Sequence, residues 1–471
     1  MKQSTQLPLN YRDRKVCVLG LGFVGLTLAT VMADIGFHVV GVEVREDLLS
    51  QISSGNAYFF EPSLSVKLKK VIDEKTLQAS KIIPPDCEAN VYIITVGTPL
   101  DDKKKINLSS IQKVAEDIAV YLKDDDLVIL RSTVKLGTTR SIVLPILNKT
   151  GKRFQIAFCP ERTVEGQAMA ELRYLPQVIG ADDVATGIRA SQLFQFLTPT
   201  VIRVTDLETA EMIKLIDNTK RDVMFGFSNE VAHLCDIAGL SANEVINAGR
   251  FGYSRTDLPM PGPVGGPCLS KDSHILVQSM MEYGVVPEIT VAARKTNERQ
   301  PIEVVDFLAK LLKNLKGFPK NPVISLLGIA FKGKPATDDL RGTTATAIFE
   351  ALKRAFPTSR FCGYDPVVQP DAMKEFGIEP KLDVREAFSG ANVVLILNNH
   401  PFFSGMPLEK WTLEMAQPGV IYDFWNNYSQ ENLHLPPAIQ YIALGSHKHA
   451  TGKGWKKLKH KLCKELSLKR P

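Results

Sequence analysis

No apolar run in this 471-residue chain is long enough to span a membrane. The stretch from Val16 to Val42 is broken by glycines, Asp34 and His38, whereas a span needs about 20 predominantly apolar residues. The first fifteen residues are polar and basic and lack an apolar core, so no secretory signal is expected. The seven cysteines (Cys17, Cys87, Cys159, Cys235, Cys268, Cys362, Cys463) are odd in number and scattered, and no pair has zinc-ligand spacing. That excludes a disulfide framework and predicts a reduced, cytoplasmic protein without a bound metal. Basic charge is not in excess outside the tail. Net charge is +6, yet His447 to Pro471 alone holds nine Lys/Arg against one Glu, which leaves the rest slightly acidic. A nucleic-acid-binding core is therefore not expected. With 44% hydrophobic and 23% charged residues the composition is that of a soluble globular protein, and the length calls for two or three domains.

What is present is strand–helix alternation. Residues 15–19 read as a buried strand, followed by a glycine loop, an apolar helix to about Ile35 and a strand at His38–Val42. Short apolar runs recur at Val91–Thr95, Leu127–Leu130, Gln155–Phe158 and Gln177–Gly180, with a helical pattern at Ser109–Leu122. This predicts an α/β fold with a doubly wound parallel sheet. A long helix is expected over Leu207–Ala238, capped by Asp206 and stopped by Gly239, with more helix at Ser241–Ala248, Asp272–Glu282 and Val286–Arg299. Strand patterns then return at Val323–Leu327, Phe361–Tyr364, Val393–Leu397, Val420–Asp423 and Gln440–Ala443, with a helix at Thr343–Ala355. The architecture expected is two Rossmann-like doubly wound domains joined by a central helical domain with one long helix, and the two α/β lobes suggest a loose duplication.

The first strand runs into Gly20-Leu21-Gly22-Phe23-Val24-Gly25, the spacing of a dinucleotide fingerprint. Glycines there permit the tight turn and the close approach of a pyrophosphate to a helix N-terminus. Glu43, eighteen residues past Gly25, ends the next strand where a carboxylate would accept from a ribose 2′-OH, which favours NAD over NADP. Arg45 nearby would suit a 2′-phosphate. Val96-Gly97-Thr98-Pro99 and Arg131-Ser132-Thr133-Val134 each follow a buried strand, the ends that face a ligand crevice in such sheets.

In mid-chain stands Gly265-Gly266-Pro267-Cys268-Leu269-Ser270-Lys271-Asp272. A cysteine in a glycine turn with Lys271 nearby is placed for thiolate chemistry, and Asp272 could position water or form an ion pair. A structural cysteine is the alternative. Lys214 and Asn218 lie i,i+4 on one face of the long helix, where ammonium and amide could hold an oxyanion or could simply be solvated. Glu161, in Cys159-Pro160-Glu161-Arg162 after a strand, is a candidate base, followed by Glu165-Gly166. A nucleotide cofactor together with a nucleophilic thiol suggests oxidation through a thiohemiacetal and a thioester.

Taken together these motifs, with Gly137-Thr138-Thr139, Ala210-Glu211-Met212, Leu327-Gly328-Ile329-Ala330-Phe331-Lys332, Thr337-Asp338-Asp339-Leu340-Arg341 and Tyr364-Asp365-Pro366, resemble the nucleotide-sugar 6-dehydrogenases (UDP-glucose/GDP-mannose dehydrogenase type) from about residue 15 to 447. The resemblance implies NAD-dependent, four-electron oxidation of the C6 alcohol of a UDP-hexose or UDP-N-acetylhexosamine, supplying polysaccharide synthesis. It implies Cys268 as nucleophile, Lys214 and Asn218 as oxyanion holders, Asp272 and Glu161 in proton and water handling, and Thr133 in support. Gly20, Gly22, Phe23, Val24, Gly25, Glu43, Thr98, Thr133, Glu165, Lys271 and Arg341 would face NAD. Glu161, Arg162, Glu165, Lys214, Asn218, Gly265, Phe331, Lys332 and Arg250 would reach the UDP-sugar, Arg250 across a dimer interface, a role Arg255 could fill instead. The domains implied are 1–205 for NAD, 206–305 helical with the thiol and the dimer contact, 318–446 for UDP, and a basic tail, 447–471.

The Cys159–Gly166 segment replaces the Asn-Pro-Glu-Phe-Leu pattern of the UDP-glucose branch and looks more like the UDP-N-acetylhexosamine branch. Asp423-Phe424-Trp425-Asn426 lacks the arginine usual in the glucose branch. UDP-glucose oxidation to UDP-glucuronate remains the alternative, as does a two-electron 3-hydroxyacid-type dehydrogenase, against which Cys268 and the second α/β domain argue. Intact Cys268, Lys214 and Asp272 argue against a sensing module without turnover. Trp455, Leu458, Leu462 and Leu466 at helical spacing among lysines suggest a peripheral contact with a membrane or a glycan-assembly partner, or else a solvated terminus.

Overall fold

The structure, a computed structural model, describes residues 7–447, so the tail reading lies outside the described residues. The chain divides into two compact units. One runs to Thr219 and takes in Lys271–Pro287; the other comprises Lys220–Ser270 and the residues from Glu288 on. Among the described residues no helix is long and apolar enough to cross a membrane.

The first unit is built on eight strands: β1 (Lys15–Leu19), β2 (His38–Val42), β3 (Leu77–Ser80), β4 (Val91–Ile94), β5 (Asp126–Leu130), β6 (Phe154–Phe158), β7 (Gln177–Gly180) and β8 (Val201–Val204). Their order is β3-β2-β1-β4-β5-β6-β7-β8. β4 and β5 are buried on both faces, as a parallel sheet covered by helices requires. Helix Phe23–Asp34 packs Leu26, Leu28 and Met32 against Val16 and Val18 of β1 on one face. On the other, Ile111, Ala115 and Ile118 of helix Ser109–Tyr121 cover Cys17 and Leu19. The sheet departs from the all-parallel expectation at one place. β7 meets β6 antiparallel through the single pairing Phe158–Gly180, so β7 and β8 carry the sheet on past the end of β6.

The long helix spans Leu207–Ala238. Asp206 Oδ1 accepts from the Thr209 amide at 2.7 Å, and Gly239 takes a φ of +73°, the left-handed stop that glycine tolerates. The helix expected to end at Arg299 instead runs from Glu288 to Lys313 with Pro301 inside it. Val304, Val305, Leu308 and Leu312 bury the far half, and that packing outweighs the amide that proline cannot donate.

The second unit holds β9 (Val323–Leu327), β10 (Arg360–Tyr364), β11 (Glu379–Pro380), β12 (Val393–Ile396), β13 (Gly419–Asp423) and β14 (Ile439–Ala443). All are parallel, in the order β11-β10-β9-β12-β13-β14. Both sheets thus wind outward from their first strand, with a switch point between β1 and β4 in one and between β9 and β12 in the other, the places where α/β sheets bind ligands.

Candidate active site

In the first unit β1 ends in a turn that only glycines can make. Gly20 sits at φ +95°, and its amide donates to Val42 O at 2.8 Å. A side chain at Gly25 would place its Cβ 1.8 Å from Gly20 O and 2.6 Å from Thr95 Oγ1. At Gly22 a Cβ would meet no protein atom within 4 Å. Packing therefore demands glycine at positions 20 and 25, whereas at 22 only the close approach of a bound diphosphate would. Gly22 caps helix Phe23–Asp34 without a side-chain bond and without an acidic residue in the first turn, so the amides of the Phe23-Val24 turn lie at an end that suits an anion. The Phe23 ring stacks on Phe59 at 4.0 Å. Glu43, buried just past β2, accepts from the Arg45 amide at 3.1 Å and from its Nε at 3.4 Å. Glycine cradle and terminal carboxylate fit an NAD pyrophosphate and adenosine ribose.

The loops after β4 and β5 are tied together beside this turn. Ser132 Oγ donates to Val96 O at 2.7 Å, and Thr98 Oγ1 donates to Thr133 O at 2.6 Å. Lys271 Nζ donates in turn to Thr98 Oγ1 at 3.2 Å. Sequence reasoning missed what anchors the β5 loop: buried Glu211 accepts from the amides of Gly137 and Thr139 and from the Thr139 hydroxyl, at 2.5, 2.9 and 2.6 Å. Burial pushes its carboxyl up, against those hydrogen bonds. The signal was the Gly137-Thr138-Thr139 motif together with Ala210-Glu211-Met212, whose partnership no spacing reveals.

Glu161 is buried and has both oxygens engaged. Oε2 accepts from Arg131 Nε (3.1 Å) and Nη2 (2.6 Å), and Oε1 accepts from the amides of Arg162 (2.7 Å) and Thr163 (2.8 Å). Burial alone would raise its carboxyl, but the Arg131 charge, these bonds and the Lys214 charge hold it below the usual range. Arg131, whose role the sequence did not disclose, also donates to Cys159 O at 3.1 Å and Gln177 Oε1 at 2.8 Å. Arg162 Nε pairs with Asp217 at 2.9 Å, tethering its loop to the long helix one residue before Asn218. Glu165 lies half-buried next to Gly166, whose amide donates to Glu61 at 2.6 Å.

Lys214 and Asn218 are both buried, not solvated. Asn218 Nδ2 donates to Asp272 Oδ2 at 2.5 Å, and Asp272 Oδ1, 4.0 Å from Lys271 Nζ, accepts no hydrogen bond. The first unit thus brings together Thr98, Thr133, Lys271, Asn218 and Asp272, with Lys214 near Glu161.

In the second unit Gly262 to Gly266 are buried and Cys268 is exposed, directly before helix Leu269–Glu282. Gly266 lies at φ +95°; its amide donates to Gly342 O at 2.8 Å, and a Cβ on it would stand 2.4 Å from the Phe331 ring. A Cβ on Gly265 would stand 2.5 Å from Gly342 O. Arg341 is held by Asp339 at 2.7 Å, and the Phe331 amide donates to Asp339 O at 3.1 Å. Lys332 Nζ lies 5.2 Å from the Phe331 ring centre. Gly265, Phe331, Lys332 and Arg341 therefore converge. Arg250 ends helix Ala242–Arg250, exposed and bonded to Asn247 at 2.7 Å, while Arg255 lies over the Tyr253 ring at 5.6 Å. Around the β9/β12 switch point, Asp365 Oδ2 accepts from the amides of Ile329 and Ala330, and Asn399 Oδ1 from those of Gly333 and Lys334, roles the sequence did not show.

Sequence models of the UDP-glucose/GDP-mannose dehydrogenase family match three parts of the chain: the NAD binding domain at residues 14–198, the central domain at 208–299 and the UDP binding domain at 325–430. The chain is 32% identical to the UDP-N-acetyl-D-mannosamine dehydrogenase of Pyrococcus horikoshii over 92% of its own length and 98% of that protein. It is 30% identical to the NDP-N-acetyl-D-galactosaminuronic acid dehydrogenase of Ralstonia nicotianae over 89% of this chain and 97% of the relative. Among solved structures, the UDP-D-ManNAc dehydrogenase of P. horikoshii superposes with a TM-score of 0.82 at 30% identity, over 92% of this chain and 100% of that one. The UDP-N-acetyl-mannosamine dehydrogenase of Staphylococcus aureus gives 0.79 at 27%, over 93% and 99%. Two doubly wound sheets, a diphosphate-ready glycine turn and these matches along the chain make the protein a member of the UDP-glucose/GDP-mannose dehydrogenase family, an NAD-dependent nucleotide-sugar dehydrogenase.

Proposed function

We propose that this enzyme oxidises the C6 alcohol of UDP-N-acetyl-D-mannosamine to the uronate, with Cys268 as covalent nucleophile. The observation that carries the thiol assignment is an exposed cysteine just after the buried, tightly packed segment Gly262 to Gly266. The sugar is supported by relatives about 30% identical that carry that name and by the Cys159–Gly166 segment. Bound NAD⁺ supplies a hydride acceptor for each of two oxidations. The Cys268 thiolate attacks the C6 aldehyde, forming a C–S bond; loss of hydride from that thiohemiacetal leaves a thioester; water cleaves the C–S bond and releases the thiol. The overall balance is alcohol, two NAD⁺ and one water to carboxylate, two NADH and three protons.

Lys214 and the Asn218 amide stabilise the oxyanions of these steps, and Asp272, fixed by Asn218, orients the water. Glu161, an ionised carboxylate held at both oxygens, orders the loop and the field around Lys214. Glu43 receives the ribose; Phe331, Lys332 and Gly265 serve the UDP end. The three-part division 1–205, 206–305 and 318–446 is proposed with it, and exposed Phe227, Leu234 and Ile237 on the long helix support a homo-oligomer.

NADH released per UDP-sugar tests this, with UDP-N-acetylmannosamine, UDP-N-acetylgalactosamine, UDP-N-acetylglucosamine and UDP-glucose compared for wild type and C268S. Two NADH from the mannosamine sugar, lost or stalled in C268S, is expected. Two NADH from another sugar would reassign the substrate, and an indifferent C268S would make Cys268 structural.

A further inference from the structure

The buried polar residues behind the Cys268 turn belong to no motif and to no step above. Arg294, 4% exposed at its side chain, donates from Nη1 to Leu269 O at 3.0 Å and from Nη2 to Val264 O at 3.3 Å. Those two carbonyls stand on either side of Cys268 in the chain. Nη1 also meets Asp222 Oδ1 at 2.7 Å, and Asn297 Nδ2 donates to both Asp222 O and Asp222 Oδ1 at 2.8 Å. Asn297 Oδ1 accepts from Asn229 Nδ2 at 2.9 Å. Asn229 closes the set by clasping Gly262 in both directions, Nδ2 to Gly262 O at 3.1 Å and Gly262 N to Oδ1 at 3.0 Å. Asp222 and Asn229 come from helix Leu207–Ala238, Arg294 and Asn297 from helix Glu288–Lys313.

We propose that Arg294, with Asp222, Asn297 and Asn229, is a positioning network that holds the backbone of residues 262–269 so that the Cys268 thiol meets its carbonyl in attack geometry. The inference rests on the thiol reading above. Joining two helices does not call for such a set, since apolar residues of similar volume commonly serve as well as a buried ion pair. The allocation of donors is what points to the turn: the guanidinium reaches carbonyls before and after the cysteine, and Asn229 spends both ends of its amide on Gly262. The turn is also packed against Trp425, 2.7 Å from a Cβ on Gly262, and against Phe331 at Gly266. A segment tied by hydrogen bonds and ring contacts at several residues carries its one exposed thiol with little freedom, and misplacement of a reacting group by about 1 Å can cost a hundredfold in rate.

The test is R294K, which keeps a charge beside Asp222 and loses the fork to the two carbonyls. The chemical steps are separated by single-turnover NADH release in wild-type and C268A backgrounds. In the wild-type background R294K should slow the second NADH about tenfold to a hundredfold, with KM for the UDP-sugar within about twofold. In C268A, where only the first oxidation runs, R294K should leave the first NADH unchanged. Equal slowing of the first NADH in both backgrounds would overturn the network while leaving the thiol reading intact. Two NADH at the wild-type rate from C268A alone would overturn the thiol reading, and this one with it. N229A, which cuts the Gly262 clasp and the bond to Asn297 but leaves the guanidinium in place, carries the same comparison if R294K fails to fold.

Discussion

Replacing Arg131 with methionine should destabilise the first unit severely and in a way that depends on pH. The guanidinium gives two hydrogen bonds to Glu161 and one each to Cys159 O and Gln177, all buried. Methionine fills much of the volume but leaves the Glu161 carboxylate without its countercharge. Removing one partner of a buried pair costs about 3–5 kcal/mol. For a unit of this size that is a fall in Tm of about 6–20 °C. The sign of the pH effect follows from Glu161. In the wild type its carboxyl is held below the unfolded value, so its contribution is complete above that value and is lost as pH falls through the folded one. In R131M burial is no longer opposed by Arg131, so the carboxyl moves up and acid favours the folded state. The Tm gap between wild type and R131M should therefore narrow on going from about pH 7 to about pH 4. Adding E161Q to R131M should recover part of the loss, because the buried charge is gone. A loss under about 1 kcal/mol, a gap that ignores pH, or a double variant no better than R131M would each refute the account.

Three further outcomes follow from the geometry. G25A should fail to fold or melt far lower, its Cβ being 1.8 Å from Gly20 O, whereas G22A should keep the wild-type melt and weaken NAD binding; equal melts for the two would contradict the division of roles drawn above. E43A should weaken NAD binding by about 1.5–3 kcal/mol, read by calorimetry, with the melt of the apo protein nearly unchanged; an unaltered Kd would remove Glu43 from the ribose site. D272N preserves size at a fully buried position and should lower kcat by about a hundredfold or more, with the far-UV spectrum intact; wild-type turnover would exclude Asp272 from water activation.

The central strands and long helices were legible because both faces of β1, β4 and β5 are apolar and because Asp206 and Gly239 bracket the long helix with ordinary capping chemistry. β3 and β8 were not. They are edge strands, reading Leu-Gln-Ala-Ser and Val-Ile-Arg-Val, and little of either is buried. The reversal at Phe158–Gly180 was equally hidden, since strand direction leaves no trace in a four-residue apolar run. At the site, short motifs exposed the residues that would face ligands. The groups that hold them did not stand out, because Arg131, Glu211, Arg294 and Asn229 are ordinary polar residues on strand ends and helices. The partners described above lie 25 to 74 residues away in the chain, a pairing that only the folded backbone creates.

The shared winding of the two sheets also sets how the chain must fold. In each, the first strand made lies at the centre and waits for a neighbour that comes late: Val16 pairs with Val91 and Ile324 with Val393, separations of 75 and 69 residues. Loop-closure entropy grows only with the logarithm of length, so the two halves face nearly the same entropic barrier. Until β4 and β12 arrive, β1 and β9 each expose one unpaired apolar edge, and long-range parallel pairing of this kind is slow. That interval during synthesis, rather than any weakness of the finished structure, is when each half is most open to aggregation.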